Sequence, residues 1–223
     1  ADTGAEVQQT NDGGYIVVGT TRDDIGMRGI YIVKTDEMGD SLWTKTLGGF
    51  SFTTESGHSI QPTSDGGYII TGGCYTPNSI TRSGHLIKID ENGVQQWWKR
   101  LDMALDGKQT IDGGYIIIGK VLISGNDKLQ LTKTDENGIE QWKKNYENLA
   151  GDDDGLSVIQ NTDGGYTILK NYCGIFNTDE NGIVQWAQNF TEQVNPTPQS
   201  AGSYCYEFKS FQKTIDGEYI IVG

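Results

Sequence analysis

Acids dominate the residues that could do chemistry: thirty Asp and Glu stand against seventeen Lys and Arg and two His. The run Asp152-Asp153-Asp154-Gly155 is the densest carboxylate cluster. Such a cluster could hold Ca²⁺, which takes six to eight oxygens, although the full EF-hand spacing is absent and acidic runs are ordinarily just solvated. Two carboxylates from different parts of the chain could also do glycosidase chemistry. Nothing else in the chain looks catalytic. His58 and His85 lie in no nucleophile motif, and GxSxG, HExxH and the P-loop are all missing. Cys74, Cys173 and Cys205 show no CxxC spacing and read as neither a metal site nor a disulfide framework. A Cys173–Cys205 bridge is conceivable, and buried thiols are an equal alternative. No catalytic residue is assigned, and no cofactor is predicted beyond the Ca²⁺ option.

The remaining acids recur, and recurrence points to architecture. A T-x-D-G-G-Y-like element carries Asp12, Asp65, Asp112, Asp163 and Asp216, spaced 53, 47, 51 and 53 residues apart. Between them a D-x-x-G-x-x-x-W element occurs four times, as Asp36–Trp43, Asp90–Trp97, Asp135–Trp142 and Asp179–Trp186, with a constant interval of seven. A catalytic group has no reason to return at every equivalent turn. These aspartates are expected to accept hydrogen bonds from their own turn backbones. The repeat lysines Lys34, Lys88 and Lys133 are expected to neutralise acids between repeats.

Each element is a hairpin signal. Asp-Gly-Gly and Asn-Gly supply residues tolerant of positive φ between apolar stretches. Tyr15-Ile16-Val17-Val18 and Tyr115-Ile116-Ile117-Ile118 are near-continuously apolar, as a strand buried on both faces requires. The order is strand, D-G-G turn, strand, variable loop, strand, D-x-x-G turn, strand. Four short strands in about fifty residues match a propeller blade. The predicted fold is therefore all-β: a β-propeller of four-stranded antiparallel blades, with four complete repeats (about 4–50, 57–101, 106–149 and 155–192) and a half blade (208–223) in one domain. The half blade suggests a segment of a larger ring. Trp43, Trp97, Trp142 and Trp186 are expected to dock each blade on its neighbour, and Trp98 should face the opposite side of its strand.

The unit T-x-D-G-G-Y-I-x-x-G…K-T-D-E-N-G-x-x-x-W resembles repeats of secreted and cell-surface β-propeller proteins of archaea and bacteria, over nearly the whole chain. Its D-x-x-G-x-x-x-W half is similar to the tryptophan-docking repeat of pyrroloquinoline-quinone propellers, where the Asp–Gly spacing is one residue longer. The resemblance implies architecture and a secreted or surface location. It does not imply quinone chemistry, and a shared fold does not choose among enzymes, adhesins and scaffolds.

A net charge of −13 repels phosphate backbones and anionic headgroups, leaving proteins and neutral glycans as partners. No apolar run is long enough to insert in a membrane as a helix. In such blades the b–c loops and blade-to-blade connections share one end and carry the length variation. Recognition normally lives on such loops. Phe50, Phe52, Tyr75, Tyr172, Tyr204 and Tyr206 fall there and would suit sugar or peptide binding, or would simply plug the blade ends. The sequence thus reads as a non-catalytic binding or structural module. A carbohydrate-active enzyme using channel carboxylates is one alternative. The other is an assembly component of a surface layer or filament, pairing through its open terminal blade.

Overall fold

The computed structural model describes residues 2–22, 28–48, 54–75, 82–146, 155–170, 174–192, 204–205, 210–214 and 218–222, and among these every regular element is a β-strand. The first sheet runs β1 (Thr3–Gln9), β2 (Tyr15–Arg22), β3 (Arg28–Thr35), β4 (Ser41–Leu47), paired antiparallel in chain order. The second repeats the plan with β5 (Thr54–Pro62), β6 (Tyr68–Tyr75), β7 (Arg82–Ile89) and β8 (Gln95–Leu101). The third has β9 (Met103–Gln109), β10 (Tyr115–Ile123), β11 (Asn126–Thr134) and β12 (Glu140–Tyr146) in the same order. The fourth has β13 (Gly155–Gln160), β14 (Tyr166–Lys170), β15 (Gly174–Thr178) and β16 (Val184–Asn189). These are the blades of a β-propeller. Two short pairs follow: β17 (Thr191–Glu192) with β18 (Tyr204–Cys205), then β19 (Ser210–Lys213) with β20 (Tyr219–Val222). The β17–β18 pair lies in the long last connection and has no turn signal to announce it.

Two compact units can be distinguished, Ala1–Ile117 with Lys133–Gln141, and Ile118–Thr132 with Trp142–Gly223. In the first, the leading strands of successive sheets lie side by side. The Ile60 N–H donates to Glu6 Oε2 at 2.8 Å, and Ser59 Oγ donates to Asp106 Oδ1 at 2.7 Å. Above these contacts the sheets pack face to face. Ile16, Val18, Ile30 and Ile32 of the first meet Ile60, Tyr68, Ile70, Ile87 and Ile89 of the second. Ile69 and Leu86 meet Ala104, Tyr115 and Ile117 of the third. The second and third strands are buried on both faces, and the fourth faces outward, which is why only the former read as apolar runs.

The turns explain the glycines. At the first, the Thr10 N–H donates to Gly14 O and the Gly13 N–H to Thr10 O, both at 2.9 Å, with Gly13 at φ +84°. This is a tight turn closed by a left-handed residue, and the D-x-x-G turns close the same way through Gly39, Gly93, Gly138 and Gly182. The second glycine of D-G-G has a different reason. A Cβ on Gly114 would lie 2.2 Å from Thr134 O and 2.6 Å from Lys133 Nζ, whereas one on Gly113 would meet nothing within 4 Å. Gly113→Ala should therefore cost only the left-handed penalty, about 1 kcal/mol. Gly114→Ala must push strand β11 away and should cost about 3 kcal/mol. Urea unfolding of the two variants checks the ratio.

In the fourth repeat the element is one residue short, with Thr162 directly before Asp163 where the others keep a residue between. The residue opening the turn is Asn161: its N–H donates to Gly165 O at 2.8 Å. Asn161 Oδ1 then accepts from Thr167 Oγ1 and from Tyr219 OH, each at 3.0 Å. The half sheet β19–β20 is thereby tied to the fourth blade, where Phe211 joins Leu169 and Ile175 in a common core.

Candidate functional site

The acids at the turn end are already engaged. Asp12 Oδ1 accepts from Thr10 Oγ1 and from the Gly14 N–H, while Lys34 Nζ donates to Asp12 Oδ2 and to Thr35 O, both at 2.8 Å. Asp65 with Lys88 and Asp112 with Lys133 repeat the arrangement. The expectation that these lysines act between blades is thus corrected: each ammonium closes the first turn of its own blade from the facing third strand. The Lys34 ammonium, with Thr10 and the Gly14 N–H, holds the Asp12 carboxyl well below the usual range. Burial opposes the same shift at Asp65, yet bonds from Thr63, Lys88 and Gly67 bring it down to about 2. In the fourth blade Asn177 stands where the others have lysine, and Asp163 accepts from the Gly165 N–H at 3.0 Å. The D-x-x-G aspartates behave alike: Asp90 Oδ1 accepts from the Asn92 and Val94 N–H groups at 2.9 and 2.8 Å. A cleft of about 410 Å³ opens between the first two turn ends, and its polar walls include the paired residues Asp12, Lys34 and Thr63 together with Asn11, Glu91 and Asn92.

The repeat tryptophans lie over the next blade's turn. A Cβ on Gly93 would fall 3.0 Å from Trp43 Cζ3, and one on Gly138 2.9 Å from Trp97 Cζ3. Trp97 also meets Tyr115 edge-on, with centroids 5.6 Å apart. In the second unit Trp142 covers Gly182 in the same way, and the Trp142 and Tyr166 rings are 6.0 Å apart. Trp186 is 44% exposed. Of the loop aromatics, Phe50, Phe52, Tyr172 and Tyr206 lie outside the described residues, as do Asp152, Asp153, Asp154, Asp216 and Cys173. Tyr75 and Tyr204 end β6 and begin β18, with their side chains outside the description.

A cluster that sequence reasoning missed sits between the first two sheets. Its cavity of about 90 Å³ is walled by Gly48, Glu55, His85, Ile87, Gln95 and Trp98. β7 and β8 set the pair: Ile87 is opposite Trp98 and His85 opposite Arg100, so His85 and Trp98 share the face turned away from Trp97. The Trp98 indole N–H donates to His85 Nδ1 at 2.9 Å. Since indole can only donate, Nδ1 is an acceptor and the single imidazole proton is on Nε2. That N–H is buried and has no hydrogen-bond partner among the described residues. Glu55 Oε1 is 4.0 Å away, too far for a bond. Gly48, at φ +90°, brings its backbone so close that any Cβ would overlap the Glu55 carboxylate. His58, by contrast, has both nitrogens in contact, with Ser56 Oγ at 2.9 Å and Ala104 O at 2.7 Å. The only signal in the sequence was a break in the repeat. His85 stands where other blades have Tyr31, Gln130 and Gly174, and Trp98 where they have Thr44, Lys143 and Ala187.

Burial, the Arg100 guanidinium and His58 lower the His85 pKa to about 4. The indole bond adds a reason of its own, because a proton on Nδ1 would oppose the Trp98 N–H. The unfolded chain takes up this proton near pH 6.5. Between about 6.5 and 4 it therefore binds more protons than the native state, and stability falls as pH drops through that window. Denaturant midpoints measured across it should flatten in His85→Gln.

No family model and no curated protein matches the chain. Among the solved structures similar to it are a BamB and a streptogramin B lyase. BamB from Moraxella catarrhalis superposes with a TM-score of 0.47 at 12% identity, covering 99% of this chain and 75% of that one. A streptogramin B lyase structure gives a TM-score of 0.48 at 11% identity, covering 98% and 90%. Likenesses this distant leave the fold resting on the sheets themselves and say nothing about ligand or chemistry.

Proposed function

We propose that this chain is a non-catalytic binding or structural module, secreted or displayed at a cell surface. The observation that supports it is the employment of its acids. A general acid or base must exchange a proton at the working pH. Asp12 and Asp65 are held ionised beside ammonium groups, and Asp36, Asp90, Asp135 and Asp179 cap their own turns. On the inner strands Glu6 accepts from Ile60 N–H and Gln61, and Asp106 from Ser59 and the Gly107 N–H. Each carboxylate completes a strand or turn that would otherwise have an unsatisfied group. The charge of −13 favours neutral glycans or proteins over polyanions as partners. Para-nitrophenyl glycosides of the common hexoses test the reading: no release above the blank is expected. Hydrolysis abolished by Glu6→Gln or Asp106→Asn would overturn it in favour of a glycosidase.

A further inference from the structure

In a repeat protein the residues that obey the repeat build the scaffold, and those that break it are free to do something else. His85 and Trp98 break it together, in register, on one face of the second blade. Glu55 does not: a carboxylate recurs eight residues before the turn, at Asp2, Glu55 and Asp102. The second blade has therefore added a histidine and an indole beside an acid that the repeat already supplied. The cavity they enclose, about 90 Å³, has room for about three water-sized groups at ~30 Å³ each.

The hydrogen-bonding demand of this cavity is specific. One wall offers a donor, the Nε2–H of His85, which is 5% exposed and has no partner among the described residues. The opposite wall offers an acceptor, Glu55 Oε1, 4.0 Å from it. An oxygen about 2.8 Å from each would meet both at an angle of roughly 90°, accepting from the imidazole and donating to the carboxylate. A water or a hydroxyl has that double character, and a hydroxyl brings with it a carbon skeleton that an indole can hold. An ammonium cannot accept from the imidazole, and a second carboxylate has no hydrogen to donate to Glu55. On the same wall as His85 lies Trp98, 42% exposed, a rigid apolar platform whose N–H is already used on that imidazole.

We propose that Glu55, His85 and Trp98 form a subsite for a neutral saccharide, one hydroxyl bridging His85 Nε2 and Glu55 Oε1 and the sugar ring lying against Trp98. This rests on the reading of the chain as a binding module and gives that reading a ligand class and an address. A cavity of this size admits a hydroxymethyl arm, with the pyranose left on the indole.

The test is a titration of the whole chain with methyl α-mannoside, methyl β-glucoside and methyl β-galactoside, read on the Trp98 indole N–H resonance. At least one should shift it, with a dissociation constant in about the millimolar range and contacts from sugar protons to the Trp98 ring. Glu55→Gln and His85→Phe should each weaken binding about tenfold or more, and Trp98→Phe less than Trp98→Ala. If none of the three shifts this resonance at about 50 mM, or if the ring shows no contact with sugar protons in the unaltered protein, the proposal is wrong, whatever the variants do. Glycosides or a protein that shift other resonances and leave Trp98 untouched would also overturn it, while leaving the binding-module reading standing. Hydrolysis of the glycoside would instead remove both.

Discussion

Asp65→Ala is expected to destabilise the chain by about 3 kcal/mol, while Lys88→Met should cost about 1. The two residues form one ion pair, at 2.9 Å, so a contact-by-contact view would assign both substitutions the same loss. The asymmetry comes from where each charge sits. The Lys88 side chain is 4% exposed and that of Asp65 54%. Removing the carboxylate strands an ammonium inside the blade with Ile89 O, at 3.1 Å, as its remaining acceptor. Breaking a buried pair from that side leaves an uncompensated charge, which costs about 3–5 kcal/mol. Removing the lysine strands nothing, because Asp65 is half in water and keeps its bonds from Thr63 and the Gly67 N–H. Methionine also refills the channel. Acid should act on the native protein as Asp65→Ala does, but late. With its pKa lowered to about 2, the pair's contribution is present above pH 4 and fades only as pH falls toward that value. Equal urea midpoints for the two variants would show that the pair behaves as an ordinary surface salt bridge.

That pair also shows where sequence reading stops. The blade was legible because its signals are local. A seven-residue interval from Asp36 to Trp43, a left-handed glycine and an apolar run each act over a few residues, so the strand order within a blade could be read directly. The partnership of Lys34 with Asp12 spans 22 residues and depends on the register of β2 against β3, in which Tyr15 faces Thr35. Without that register the lysines were assigned to the wrong acids, between blades instead of within them. The role of Asn161 was hidden for a related reason: the element is written on a threonine, and only the backbone bonds show which residue opens the turn. The cluster of Glu55, His85 and Trp98 draws on three strands, and its members differ from one another in every respect a motif records. The doubling Trp97-Trp98 was visible and its two faces were expected. That a histidine thirteen residues earlier would take the second indole's N–H was not, since His85 is bound to Trp98 by pairing across β7 and β8.

Four tryptophans at identical positions should not be worth the same. Trp97→Ala is expected to lower stability by about 3 kcal/mol, the lower end for loss of a large aromatic because the indole is only half buried. Trp186→Ala should stay within about 0.5 kcal/mol in this 223-residue chain, as ordinary exposed positions do. What differs is the surface beneath the ring. Trp97 lies on Gly138 and against Tyr115, and neither can follow the ring if it is deleted: Gly138 is fixed at φ +71° by its turn, and Tyr115 is buried at the start of β10. The loss is therefore a cavity at a blade–blade seam, not a rearrangement. Trp43 over Gly93 and Trp142 over Gly182 should follow Trp97. Trp186 sits in β16, whose described residues are exposed throughout, and has little to lose. Because the blades are coupled mainly through such seams, deleting Trp97 should also broaden the unfolding transition, as the units on either side of the seam lose cooperativity. Urea melts followed by far-ultraviolet circular dichroism report both quantities. Equal losses at Trp97 and Trp186 would mean that the indoles stabilise their own strands and do not clamp one blade to the next.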